Sequence, residues 1–282
     1  METSDPATMW RQLIRRVLTI IVLAPLLVGF ILLASKQAYS VLIILVMCIA
    51  LWEWSAFVPI EKKLYRSLYV LSMGLVLTTL FYYVKTIPDL YYFSLSILSI
   101  CLLAGAFGVI LRYPKGRSSQ ISPLLIAFCG FLWLTTAGVS LVRLRLMPEG
   151  IQYILYLLAL IWMADVGGYV IGKIWGCHKM IPQVSPKKTW EGLLGSFCFA
   201  VSVAIVWGFK IDLGLMWIGV SIITIATSVV GDLVESMLKR TAHLKDSGSI
   251  FPGHGGMLDR IDSLIPASIV FVTLGQLFGF LK

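Results

Sequence analysis

Carboxylates and cations crowd into one polar stretch, GDLVESMLKRTAHLKDSGSIFPGHGGMLDRID at residues 231–262, of a chain that is 59% hydrophobic and only 13% charged. The stretch holds Asp232, Glu235, Asp246, Asp259 and Asp262 together with Lys239, Arg240, Lys245 and Arg260. Read as a helix over 231–242, the i, i+3, i+4, i+7 rule gathers Asp232, Glu235, Ser236, Lys239 and Arg240 on one face, with Leu233, Val234, Met237 and Leu238 opposite. Such a face handles something charged. Beyond it, Gly253, Gly255 and Gly256 of PGHGG let a backbone approach a ligand closely, and successive free N–H groups suit a phosphate oxygen. Asp259 and Asp262 follow at an i, i+3 spacing with Arg260 between them.

A second polar run, SPKKT at residues 185–189, offers the Lys187 and Lys188 ammonium groups and the Ser185 and Thr189 hydroxyls. A helix is expected to begin just after it, near Trp190, which makes the run a sensible receiver of phosphate oxygens. The plainer alternative is an ordinary basic loop. Asp165, Asp232, Glu235, Asp259 and Asp262 supply oxygen donors with no thiolate cluster, a set suited to Mg²⁺ or Mn²⁺ rather than to zinc or a redox metal. The cysteines Cys48, Cys101, Cys129, Cys177 and Cys198 are scattered and read as small core hydrophobes; Cys177 beside His178 lacks the further ligands that zinc needs.

The elements that must position these groups are membrane spans. With 282 residues and a mean hydropathy of +0.91, the chain holds many apolar runs near the ~20 residues that cross a bilayer, so a soluble domain is excluded and the fold expected is all-α and polytopic. About nine transmembrane helices are read, over residues 17–34, 38–58, 68–84, 90–111, 121–141, 151–172, 193–208, 213–230 and 263–280. The chain divides into N-terminal transmembrane helices at 1–89, middle transmembrane helices at 90–172, and C-terminal catalytic helices with their loops at 173–282. The first run is a retained signal anchor, too long for a secretory h-region and without a clear cleavage site.

Two carboxylates fall within the apolar runs. Asp165, in WMADVGGYVIGK, is a functional candidate by default, because an unneeded carboxylate is costly in a membrane. The competing reading is a packing seam built on Gly168 and Gly172. Glu53, between Trp52 and Trp54, reads first as snorkelling to the interface and second as lining a polar cavity.

Charge sets the topology. Arg11, Arg15, Arg16, Lys62, Lys63, Arg66, Arg112, Lys115, Arg117, Lys173, Lys179 and the cations of both polar runs fall on one side, against Lys36, Lys85, Arg143, Arg145, Lys210 and Lys282 on the other. The positive-inside rule then places the N-terminus and both polar runs in the cytoplasm. The net charge of +9, biased to that face, draws anionic partners toward it.

The pattern Ser236, Lys239-Arg240, Lys245-Asp246, Gly248, Pro252, His254-Gly255-Gly256, Asp259-Arg260 and Asp262 resembles the signature of the phosphatidate cytidylyltransferases, and SPKKTWEG is similar to a second motif of that family. The resemblance implies transfer of CMP from CTP to phosphatidate, with Mg²⁺ (Mn²⁺ as substitute, one ion or two) as cofactor. It implies the bacterial inner membrane as location, with the site facing the cytoplasm and with CTP and an anionic lipid as partners. No nucleic acid is expected as a partner, and a homo-oligomer is left open.

On this reading Asp232 and Asp259 are the principal metal ligands, with Asp165 and Asp262 supporting. Lys239, Arg240 and Arg260 join the two principal aspartates as catalytic residues, while Ser185, Lys187, Lys188, Ser236, Lys245, Gly255 and Gly256 bind substrate. His254 either donates to the leaving pyrophosphate or packs in the turn. Two other classes share the setting: a CTP-dependent lipid kinase of the dolichol-kinase kind, which needs its alcohol nucleophile deprotonated, and a transporter, which more typically shows interrupted helices in repeated halves.

Overall fold

The structure is a computed structural model that describes residues 23–60, 62–84, 86, 88–113, 121–211, 214–250 and 255–281. The apolar runs become α1 (Leu23–Leu33), α2 (Lys36–Trp54), α3 (Lys63–Tyr82), α4 (Asp89–Leu111), α5 (Pro123–Leu146), α6 (Gly150–Ile174), α7 (Trp190–Ile211), α8 (Gly214–Thr241), α9 (Leu258–Ile261) and α10 (Leu264–Leu277). Local signals set several ends. Ser35 caps α2 by accepting the Ala38 N–H at 3.1 Å, and proline stands in the first turn of α5, where its missing N–H costs nothing.

Among the described residues, 7 helices are long and apolar enough to cross a membrane, and the chain is an all-α polytopic integral membrane protein. They answer to the second through eighth of the nine expected spans. Of the first span only Leu23–Leu33 is described. At the ninth position α10 has 14 residues, short of the ~20 needed for a straight crossing.

The core forms around α5 and α10, whose faces from Leu132 to Arg145 and from Ile265 to Val272 are buried. Against them pack α8, α4 and α6, while α3 lies at the rim with most of its leucines exposed, as a lipid-facing helix should. Glycines join α6 to α7. A Cβ at Gly167 would collide with the Gly195 carbonyl, and one at Gly168 with Ser196, so the two backbones run together as small-residue seams allow.

Two expectations change at the far end of α5. That helix runs on to Leu146, and Arg143 and Arg145 are buried rather than free in a loop. Arg143 pairs with Asp89 at 2.8 Å and stacks 4.5 Å over the Tyr92 ring, while Arg145 donates to the Ala34 carbonyl at 2.8 Å. Their apolar stems pack against the bundle, and their charges tie α5 to α4 and to the α1–α2 junction.

The run after α6 is a hairpin, not a loop. β1 (Lys179–Ile181) pairs antiparallel with β2 (Ser185–Thr189), with Lys179 opposite Thr189, and β2 passes directly into α7. This small sheet sits on an otherwise helical bundle.

Candidate active site

The site is built on α8, which runs unbroken for 28 residues from Gly214. The expected helix at 231–242 is its last third. It stops in a Schellman turn: His243 takes φ 56°, its N–H donates to the Arg240 carbonyl at 3.1 Å, and the Leu244 N–H donates to the Lys239 carbonyl at 2.8 Å. The polar face divides between two neighbours.

The first neighbour is the hairpin. Lys188 Nζ lies 2.7 Å from Asp232 Oδ2, and the Ser236 hydroxyl donates to Asp232 Oδ1 at 3.2 Å. Arg240 Nε donates to the Val184 carbonyl at 3.4 Å, and Thr189 Oγ1 accepts the Gly192 N–H at 3.1 Å, so the hairpin is fastened to both α8 and α7. Glu191 receives the Cys177 and His178 N–H groups at 3.2 Å and pairs with His178 Nδ1 at 2.6 Å, which engages His178 in holding the hairpin's approach. Between hairpin, α6 and α8 lies a cleft of about 190 Å³ lined by Asp165, Lys187, Lys188, Thr189, Asp232 and Ser263 among others. Asp165 therefore opens into a cavity, and the glycine seam beside it is what lets the helices approach.

The second neighbour is α9. Lys239 Nζ lies 2.6 Å from Glu235 Oε2, one turn back on α8, and 2.6 Å from Asp259 Oδ1. Asp259 Oδ2 accepts the Gly256 N–H at 2.7 Å, the Ser247 N–H at 2.9 Å and the Ser247 hydroxyl at 2.9 Å. Burial alone would raise the Asp259 carboxyl, but Lys239 and these N–H donors outweigh it and hold the group below the usual carboxylate range. Asp262 moves the other way: desolvation and then the charge of Asp232 push it up, against the Ser263 N–H it accepts at 2.7 Å.

The residue beneath this loop is one whose sequence reads first as reaching the membrane interface. Glu53, at the end of α2, is 4% exposed and does not snorkel. Its Oε1 accepts the Met257 N–H at 3.0 Å, and its Oε2 accepts the Leu258 N–H at 2.7 Å and the Ser247 hydroxyl at 3.1 Å. The glycines follow from this. A Cβ at Gly248 or Gly256 would collide with the Glu53 carboxylate, and Gly255, at φ +81°, would push one into Asp259. The N–H of Gly256 thus faces an internal carboxylate, not a phosphate oxygen as expected.

Lys187, Lys245 and Arg260 are solvent-facing, and Ser185 is half-buried. His254, with Pro252 and Gly253, lies outside the described residues.

The oxygen-only donor set suits Mg²⁺ or Mn²⁺. Among the described residues no group of three or more His, Cys, Asp or Glu side chains converges on a metal position. Asp259 does not line the cleft, and Lys239, Ser247 and Gly256 hold its oxygens. What fits is the pair that lines the cleft, Asp165 and Asp232, because Mg²⁺ held largely by waters and substrate phosphates needs only one or two carboxylates.

Fold and site together define a polytopic membrane protein with a cleft of paired carboxylates and ammonium groups. The profile of the cytidylyltransferase family matches residues 14–278. A phosphatidate cytidylyltransferase of Pseudomonas aeruginosa is 32% identical over 271 residues, 92% of this chain and 96% of that one. One of Haemophilus influenzae is 32% identical over 273 residues, 90% and 95% of the two chains, and one of Staphylococcus haemolyticus is 38% identical over 169 residues, 58% and 64%. The chain belongs to the cytidylyltransferase family and is a nucleotidyltransferase.

Proposed function

We propose that this protein transfers the CMP moiety of CTP to phosphatidate at the cytoplasmic face of a bacterial inner membrane, forming CDP-diacylglycerol and pyrophosphate. The observation that carries the reading is the cleft between the hairpin, α6 and α8, in which the Lys188–Asp232 pair stands beside Asp165 and Lys187.

A phosphate monoester has a second pKa near ~6 and is largely ionised at neutral pH, so its oxygen attacks without a general base. The obstacle is repulsion between that anion and the triphosphate. Lys187 and Lys188 offset it from the hairpin, and Arg260 from α9, within electrostatic reach of Asp165. The new bond joins the lipid phosphate oxygen to the α-phosphorus, and the bond to the bridging oxygen breaks with its electron pair leaving on pyrophosphate. Asp165 and Asp232, with Asp262 nearby, would hold Mg²⁺, which when bound neutralises phosphate charge and orients the leaving group. The basic residues on one face support a cytoplasmic site, where CTP is available.

The test is pyrophosphate release by the purified protein. Release that requires both CTP and phosphatidate, and that is lost in Asp232→Asn, is the expected result. Release from CTP alone, or with ATP equally well, would remove this reading.

A further inference from the structure

Glu53 is separated in sequence from the motif loop it touches by about two hundred residues (|i−j| is 194 for the Ser247 contact and 205 for Leu258), yet it meets that loop at several points. Among the described residues its two oxygens face donors: the N–H groups that open α9 and the Ser247 hydroxyl. Ser247 in turn stands within 2.9 Å of Asp259 Oδ2, so one hydroxyl bridges the two carboxylates. Gly248 and Gly256 have no room for a Cβ because Glu53 fills the space.

Glu53 is itself held on both sides. The Trp54 indole donates to the Ile126 carbonyl on α5 at 2.9 Å, and Arg66 on α3 donates to the Ser55 hydroxyl at 2.8 Å and the Trp52 carbonyl at 2.9 Å. A buried carboxylate so anchored and so fully met by donors costs nothing in unmade bonds and fixes whatever it grips.

We propose that Glu53 is a positioning residue for the reaction: from the end of α2 it sets where α9 begins, and thereby places Asp259, Arg260 and Asp262 against α8 and the cleft. Asp259 receives its Ser247 and Gly256 donors from the loop that Glu53 grips, and Asp259 in turn locates the Lys239 ammonium. The N-terminal helices are therefore part of the catalytic apparatus and not only a membrane anchor. The kinetic arm of the test rests on the cytidylyl-transfer reading; the exchange arm does not.

Glu53→Gln is the informative change. Whichever oxygen becomes the amide NH₂ then faces an N–H donor, so the loop loses a partner while shape is kept. Amide hydrogen exchange of full-length protein in detergent is followed over residues 255–262, together with kcat per folded molecule and KM for CTP. The expected result is exchange at Met257 and Leu258 at least tenfold faster, and kcat at least tenfold lower with KM changed less than threefold. A merely structural role would reduce the folded fraction while leaving kcat per folded molecule and exchange as in the wild type, and that result overturns the proposal.

Should Glu53→Gln fail to fold, Ser247→Ala removes only the bridge between the carboxylates. A kcat at least threefold lower then supports the proposal, and wild-type kcat overturns it. A wild-type protein that transfers no CMP would count against the function alone, since loss of exchange protection in Glu53→Gln would still sustain the positioning role.

Discussion

Lys239 and Asp259 form a buried ion pair at 2.6 Å between α8 and α9, with their side chains 14% and 7% exposed. Asp259→Asn leaves Lys239 with Glu235 as a charged partner but removes the charged acceptor that the Ser247 and Gly256 N–H groups face, so it is expected to destabilise the folded protein by about 2 kcal/mol, and thermal unfolding in detergent measures it. A variant as stable as the wild type would show that the pair contributes nothing to holding α9.

Metal dependence separates the aspartates. Chelation should abolish activity, and Mg²⁺ or Mn²⁺ should restore it. In Asp165→Asn the Mg²⁺ concentration for half activity should rise about tenfold or more, as loss of one carboxylate ligand implies. Asp259→Asn should lower activity without that shift, because Asp259 is held by Lys239 and Ser247 away from the cleft that Asp165 lines. An equal shift in both would return Asp259 to the metal.

Gly256→Ala drives a Cβ into the Glu53 carboxylate and should reduce activity at least tenfold (about 1.4 kcal/mol). Gly105 on α4 has nothing within 4 Å of its Cβ position, so Gly105→Ala should remain active and gain up to about 1 kcal/mol of helix propensity. Steady-state rates and melting temperatures of the two variants check both statements.

Much of this site is legible in the chain. The face of Asp232, Glu235, Ser236, Lys239 and Arg240 follows from helical spacing, and the start of α7 at Trp190 follows from the polar run ahead of it. The partition of that face, with Asp232 toward the hairpin and Lys239 toward α9, depends on what packs on either side and has no local signature. Glu53 was hidden by its position at a helix end, where a lone carboxylate ordinarily reaches water; only the fold brings Leu258 and Ser247 to it. The hairpin was hidden because Pro186, Lys187 and Lys188 carry no alternating apolar pattern. Arg143 read as a loop cation because α5 continues one turn past its last apolar run. Its pair with Asp89 and its stacking on Tyr92 mean that Arg143→Ala should cost about 1–2 kcal/mol of stability without altering KM for CTP.

Topology is tested with single cysteines in a background whose native cysteines are alanine. Ser247 is buried against Asp259 and Gly150 has no room for a Cβ, so the exposed Lys245 and Glu149 are the positions to use. Lys245→Cys should react with a membrane-impermeant thiol reagent only in opened cells and Glu149→Cys in sealed ones. The reverse pattern would place the cleft on the outer face.

The central claim is attack at the α-phosphorus of CTP, and the fate of its phosphates tests this most directly. With purified protein, Mg²⁺ and both phosphatidate and a long-chain lipid alcohol as acceptors, α-labelled CTP should put its label into the lipid, and γ-labelled CTP should release it as pyrophosphate. Label from the γ-position in the lipid, with CDP as the soluble product, would contradict the account and make the protein a CTP-dependent lipid kinase.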